Sequence, residues 1–221
     1  MENIFTDHPL DQVGEEHKKL LTRHPAETVV DNRPPYAKGE FLKKKKNAPE
    51  VIAAMARCLL PLKYYSVVDL GCNAGTKSPY LSAWGCKSYL GLERIPTAID
   101  VAKELRECGL CKFQVCDIAL DEWPISEVDV VALLHVFQHL PWSWKLRVLE
   151  KAKKVRPKAI LFWDEGLLDL SEKECIKKHN PAVVKVPFPL GKLDEVLSGY
   201  ERTEEAHHFW VYRDDRCSRD F

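Results

Sequence analysis

The chain is 221 residues long and carries 33 basic and 33 acidic residues, so its formal net charge is zero, and 45% of it is hydrophobic. That length suits one sizeable domain rather than two. The balanced charge gives no support to a dedicated nucleic-acid binder, which usually shows a basic surplus. No run approaches the roughly 18 apolar residues of a membrane span. The first residues, Met1-Glu2-Asn3-Ile4-Phe5-Thr6, lack the basic-then-apolar layout of a secretory signal. A soluble, cytoplasmic protein is expected, with the eight cysteines as reduced thiols.

Residues 1–50 differ in character from the rest of the chain. A helical patch at 14–23 is broken by Pro25, Pro34 and Pro35, and then comes Lys43-Lys44-Lys45-Lys46. Such a run is usually a solvated helix face, with a phosphate or nucleic-acid contact as the minority reading. Residues 48–60 read as a helix, with Val51, Ile52, Met55, Cys58 and Leu59 near helical spacing.

From residue 64 short apolar runs alternate with longer amphipathic segments. The runs at 64–70, 87–92, 112–116, 128–134 and 159–163 read as strands. Segments 76–84, 96–108 and 142–155 read as helices, the second with Pro96 in its first turn. This alternation predicts right-handed crossovers and a mostly parallel sheet. The tail reads as a helix at 193–198 and then a hairpin-like pair whose second strand is 207–213, an antiparallel edge that such a sheet tolerates.

In an open parallel sheet, ligands bind beyond the carboxyl ends of the strands. After the first strand comes Asp69-Leu70-Gly71-Cys72-Asn73-Ala74-Gly75-Thr76. Its glycines let the backbone turn sharply and approach a ligand closely, and Asn73 tolerates a left-handed conformation better than most residues. The stretch supplies neither the G-x-G-x-x-G of dinucleotide sites nor a lysine-bearing phosphate loop. The second strand ends at Glu93, 24 residues beyond Asp69, where a carboxylate can accept from both hydroxyls of a ribose. The third ends at Asp117-Ile118, an acceptor for an adenine amino group beside an apolar side chain that packs on the ring.

These residues resemble the class I S-adenosylmethionine-dependent methyltransferase family over about residues 64–165. Residues 69–75 look like its first motif, Glu93 stands at its ribose position, and Asp117 with Ile118 at its adenine position. The segment 129–141, ending His139-Leu140-Pro141, resembles its fourth strand and the loop after it. The resemblance implies a Rossmann-like seven-stranded, mostly parallel sheet with an antiparallel C-terminal strand, helices on both faces and an N-terminal helical lid. It implies S-adenosylmethionine as cofactor, held by Asp69, Gly71, Cys72, Asn73 and Gly75 of the loop, by Glu93 with Arg94, by Asp117 with Ile118, and by Leu134 with His135. Two departures stand out. Asn73 replaces a middle glycine, and Arg156-Pro157-Lys158-Ala159 replaces a Pro-Gly-Gly turn.

Methyl transfer is an in-line displacement from an activated donor, so alignment and exclusion of water come first. A base is needed only if the acceptor must lose a proton. Candidates are His139 first, then Asp164 and Glu165 after the fifth strand, with Trp142 and Trp144 as either pocket walls or packing residues. No metal is expected. His135 and His139 have only Gln138 beside them, and Cys108-Gly109-Leu110-Cys111, with Cys116 nearby, lacks the second pair that a zinc site needs. The expected acceptor is an O or N nucleophile on a small molecule. The alternatives are an RNA or protein acceptor docked on Lys43 to Lys46, a non-catalytic S-adenosylmethionine-binding protein and, more weakly, a nicotinamide oxidoreductase. Residues 1–50 are expected to form a lid and 51–221 the methyltransferase domain.

Overall fold

The computed structural model describes residues 8–15, 18, 48–60, 64–181, 184–206 and 208–216. Most of the expected helix at 14–23, the lysines at 43–46 and most of the expected lid fall outside those residues.

A single sheet organises the chain. Its strands are β1 (Ser66–Leu70), β2 (Ser88–Glu93), β3 (Cys111–Val115), β4 (Val130–Leu134), β5 (Ala159–Trp163), β8 (Tyr200–Ala206) and β9 (Phe209–Asp214). Their order is β3-β2-β1-β4-β5-β9-β8. β1 to β5 pair in parallel, and β9 inserts antiparallel between β5 and β8. This is the sheet expected from the sequence, including its reversed last strand. Two further short strands, β6 (Leu167–Leu168) and β7 (Phe188–Pro189), pair in parallel beside it.

β1, β4 and β5 are buried almost throughout, as a sheet covered on both faces requires. On one face lie α1 (Ala48–Leu59), α2 (Ser78–Ala83) and α3 (Pro96–Arg106), packing Val51, Met55, Leu81 and Ile99 against Val67, Leu161 and Val211. On the other, α4 (Trp142–Lys154) and α6 (Leu190–Val196) pack Trp144, Val148, Leu149 and Leu193 against Val68, Val131, Phe162 and Tyr212. α5 (Glu172–Lys178) joins β6 to β7 and opens with a capping box between Ser171 and Glu174. α1 spans the expected boundary at residues 50 and 51 and belongs to the core of the sheet domain.

Several elements are displaced from the sequence reading. The helix expected at 76–84 is shortened to Ser78–Ala83, because the turn after β1 runs on through Lys77. The helix expected at 96–108 stops at Arg106, where Glu107 turns to extended backbone. The helix expected at 193–198 lies at Leu190–Val196, started by Pro189. In the turn that replaces Pro-Gly-Gly, Arg156 takes φ +49°, the left-handed conformation that a glycine would adopt freely.

Candidate active site

The reversal of strand order falls between β1 and β4, and a cavity of about 260 Å³ opens at the carboxyl ends of the strands there. Three of its walls come from the loops after β1, β2 and β3. Gly71, Asn73 and Gly75 take φ of +69°, +51° and +67°. The loop is stitched to β2 by the amides of Gly71 and Cys72, both donating to the Leu92 carbonyl at 2.8 and 3.1 Å. Its glycines are required by space as well as by conformation. A Cβ at Gly71 would lie 2.4 Å from the Val136 side chain, and one at Gly75 2.5 Å from the Phe113 ring. Asn73 steadies its own turn, its Oδ1 accepting from the Ala74 amide at 2.7 Å.

Glu93 is nearly buried and lines this cavity. Its Oε2 accepts from the Asn73 amide at 3.2 Å and its Oε1 from the Ile95 amide at 3.1 Å. A carboxylate has about four acceptor positions, so it keeps capacity for two further donors. Burial raises its pKa, against the opposing pull of the two amides and of Arg94. Asp117 accepts through Oδ1 from the amides of Ala119 and Leu120 at 3.0 and 3.1 Å, and its Oδ2 faces Arg94 at 4.0 Å. Burial in turn lowers the pKa of Arg94, with both carboxylates opposing the effect. The cavity therefore has two acidic acceptors at successive strand ends, one beside a turn whose backbone is open to close approach.

The remaining wall is made by the segment after β4 and by α4. His135 takes φ +66° and lies against Trp163 at 4.0 Å between ring centroids. A 3-10 turn over Phe137–His139 comes next. His139 lines the cavity, with its Nδ1 3.3 Å from the Val184 carbonyl. With Nδ1 donating there, Nε2 is left as the acceptor, and the Gln138 amide nitrogen lies 3.2 Å from it. Trp144 lines the cavity, whereas Trp142 packs between His8 and Phe188.

Behind this turn sits a buried charge network. Lys145 is fully buried, and its Nζ donates to the carbonyls of Phe137 at 2.5 Å and Val186 at 3.0 Å. Asp164 is also fully buried and accepts from the amides of Gln138 at 2.5 Å and Gly166 at 2.7 Å. Burial pulls the Lys145 ammonium down to about 7 and pushes the Asp164 carboxyl up to about 6, each opposed by the other's charge.

Of the residues singled out in the sequence, the cavity brings together Gly71, Asn73, Glu93, Arg94, Asp117 and Ile118, and also His135 and His139. Asp69 lies beneath the loop, accepting from the Tyr89 hydroxyl at 2.8 Å. Cys72 packs against Gly91, and Leu134 is buried in the sheet. Gly75 stands behind the wall on Phe113. Asp164 is committed to the two backbone amides, and Glu165 pairs with Lys185, so neither lines the cavity. The lining also includes Ile95, which the sequence did not single out, and Cys116 and Leu140, which it named without assigning them to the cofactor site. Lys145 was missed although a signal was present. With Val148, Leu149 and Ala152 it forms an i, i+3, i+4, i+7 stripe, the buried face of α4.

The strand order and the reversed final strand are those of the class I methyltransferase architecture. Residues 68–162 match the family model described as a methyltransferase domain. A methyltransferase domain makes up the centre of this chain. No curated protein matches the chain in sequence. Among solved structures it is similar to magnesium protoporphyrin IX methyltransferase from Synechocystis PCC 6803 with bound SAH, at TM-score 0.58 and 15% identity, over 80% of this chain and 88% of that one. It is similar to human N-acetylserotonin methyltransferase in complex with SAM at TM-score 0.59 and 18% identity, over 90% of this chain and 59% of that one. It is also similar to the small RNA methyltransferase HEN1 at TM-score 0.57 and 12% identity, over 76% of this chain and 25% of that one. At these identities the likeness concerns the fold, which does not choose an acceptor.

Proposed function

We propose that the cavity binds S-adenosylmethionine through the loop after β1, Glu93 and Asp117, and that the enzyme methylates an O or N nucleophile on a small molecule. The observation that carries this reading is the convergence of Glu93, Asp117 and His139 on one cavity. The residues fit the cofactor. Glu93 has acceptor positions left for two ribose hydroxyls, and Asp117 Oδ2 is free of its own turn's amides. Ile118 would offer the neighbouring apolar side chain to the adenine ring, and the left-handed turn at Gly71 and Asn73 would let backbone approach the methionine portion.

When bound, the cofactor supplies a methyl group already activated on a sulfonium centre. The work left to the protein is alignment and desolvation. Leu140 and Trp144 provide apolar wall beside His139. With Nδ1 donating to the Val184 carbonyl, His139 Nε2 is the atom that takes the acceptor's proton once Gln138 releases it. The small-molecule assignment is supported by the neutral net charge and by the modest, partly apolar cavity. The same reading places the enzyme in the cytoplasm. Among the described residues no helix is long and apolar enough to cross a membrane.

The test is calorimetry with S-adenosylmethionine and its demethylated product, comparing wild type with Glu93→Ala and Asp117→Ala. Methyl transfer to panels of small hydroxy and amino compounds, RNA and proteins is then measured, with His139→Ala alongside. Binding by wild type that weakens in both carboxylate variants is expected, with turnover on a small molecule. Turnover confined to RNA or protein overturns the acceptor class. Cofactor binding without turnover on any panel overturns catalysis.

A further inference from the structure

One pair of cysteines takes no part in the cavity. Cys108 lies in the turn between α3 and the edge strand β3, and Cys111 is the first residue of that strand, at the opposite end of the strands from the candidate active site. The Cys108 amide donates to the Cys111 carbonyl at 3.1 Å, closing the turn. Cys108 is exposed, and Cys111 is 3% exposed. The amides of Leu110 and Cys111 point at the Cys108 sulfur, and the Cys111 thiol hydrogen-bonds to it. Ser82 Oγ lies 3.1 Å from Cys111 Sγ on the other side. A Cβ at the intervening Gly109 would meet nothing within 4 Å, so the turn has room to adjust.

We propose that Cys108 and Cys111 form a thiol–disulfide exchange site for low-molecular-weight disulfides, with exposed Cys108 as the attacking sulfur and buried Cys111 as the resolving one. The Cys108 thiolate attacks one sulfur of the disulfide RSSR, forming a mixed disulfide and releasing one RS⁻, which takes up the proton that Cys108 lost. Cys111 then loses its proton and attacks Cys108 Sγ, forming the Cys108–Cys111 bond and expelling the second thiol. Two protein thiols are oxidised, and one external disulfide is reduced to two thiols.

The surroundings divide the roles. The two amides and the Lys112 ammonium hold the Cys108 thiol below its ordinary pKa, favouring the nucleophilic form. Burial raises Cys111, which keeps the resolving thiol protonated until the adduct forms. Cys58, Cys72, Cys86, Cys116 and Cys175 are buried, and burial pushes each of them up. Two sulfurs do not complete a zinc site, and no group of three or more His, Cys, Asp or Glu poised for a metal occurs among the described residues.

The test treats the folded protein with oxidised glutathione and maps its thiols by mass spectrometry. Trypsin releases residues 107–112 as one peptide holding both sulfurs. That peptide is expected to lose two hydrogens before any other cysteine reacts, and to regain them with a dithiol reductant. Cys111→Ser is expected to stop at a stable glutathione adduct on residue 108, and Cys108→Ser to leave residue 111 unmodified. Wild type should also bind one equivalent of phenylarsine oxide in competition with this oxidation, a readout that needs no variant. A lasting adduct without ring closure in the wild type, earlier oxidation of another cysteine, or no arsenical binding at the pair would each overturn the proposal.

Discussion

The two sides of the cavity are built on different principles. The side made by the loops after β1, β2 and β3 uses local means. Left-handed turns at Gly71, Asn73 and Gly75 shape the backbone, and Glu93 and Asp117 accept from amides within a few residues or from the adjacent loop. The side made after β4 depends on remote partners. The turn bearing His139 is held by Lys145 from α4, by Asp164 from the end of β5, and by the Val186 amide, which donates to the Gln138 carbonyl at 2.7 Å. The first side needs only the sheet to be in place, whereas the second needs three distant segments to arrive together. Damage to the second should therefore cost stability and acceptor chemistry while sparing the cofactor.

The strongest way to break that contrast is Lys145→Met, which keeps the bulk but removes the charge. It leaves Asp164 without its nearby cation and takes the Lys145 donor away from the buried carbonyls of Phe137, which keeps the Leu140 amide, and Val186. Loss of a donor to buried acceptors costs about 1–3 kcal/mol, measurable as a lowered urea midpoint. Below its unfolding range the variant should still bind S-adenosylmethionine with wild-type affinity. A tenfold or greater loss of affinity would show that the two sides are one unit.

The same pair sets a pH signature. Asp164 titrates near 6 in the folded protein against an ordinary 3.8. Between those values the folded state holds a proton that the unfolded state has lost, so this contribution falls as pH rises. Lys145 titrates near 7 against an ordinary 10.5. Between those values the unfolded state holds the extra proton, so its contribution rises with pH. Asp11 and Cys175 also act on Lys145, and Glu165 on Asp164. Wild-type stability is expected to dip near pH 6–7 relative to the Lys145→Met/Asp164→Asn double variant. Parallel profiles for the two proteins would contradict this origin.

Glu93→Ala sharpens the contrast from the other direction. Hydrogen bonds to a charged group contribute about 1.5–3 kcal/mol, so titration calorimetry should show cofactor affinity about tenfold to a hundredfold weaker. Asp117→Ala should sit at the lower end of that range, because its free oxygen already faces Arg94 in a partly exposed setting. At saturating cofactor, the KM for acceptor should be unchanged in both. A raised acceptor KM would mean that the loops after β2 and β3 reach across the cavity.

The contrast also explains what the sequence made legible. The strand and helix alternation, the reversed last strand and the positions of Glu93 and Asp117 arise from short-range pattern. Each of those acidic residues sits at the end of a strand that periodicity alone outlines. Asn73 could be assigned a left-handed turn from residue type, and its φ of +51° agrees. Asp164 and Glu165 were nominated for the cavity because they come directly after β5, but the chain turns Asp164 inward to cap Gln138. No local pattern encodes a partner 26 residues away. Lys145 was hidden for a related reason, because a lysine on an apolar helical stripe reads as a surface residue until the carbonyls of Phe137 and Val186 are seen to meet it.

The smallest expected effect concerns the N-terminal segment, of which residues 8–15 and 18 are described. α4 begins after Pro141 with no side-chain cap of its own. Asp11 supplies one from 132 residues away, accepting from the Ser143 amide at 2.8 Å and its hydroxyl at 3.0 Å, while Leu10 beside it is fully buried. Loss of a capping acceptor costs about 1 kcal/mol, so Asp11→Ala should lower the urea midpoint slightly. A carboxylate at a helix N-terminus adds about 0.3–1 kcal/mol through the helix dipole. Asp11→Asn keeps an acceptor and loses only that charge, so it should fall between wild type and Asp11→Ala. Because α4 carries both Trp144 and Lys145, the loss belongs to the side built from distant segments, and cofactor affinity should not move. An Asp11→Asn variant as unstable as Asp11→Ala would assign the whole effect to charge, and a weakened cofactor would tie the N-terminal segment to the other side of the cavity.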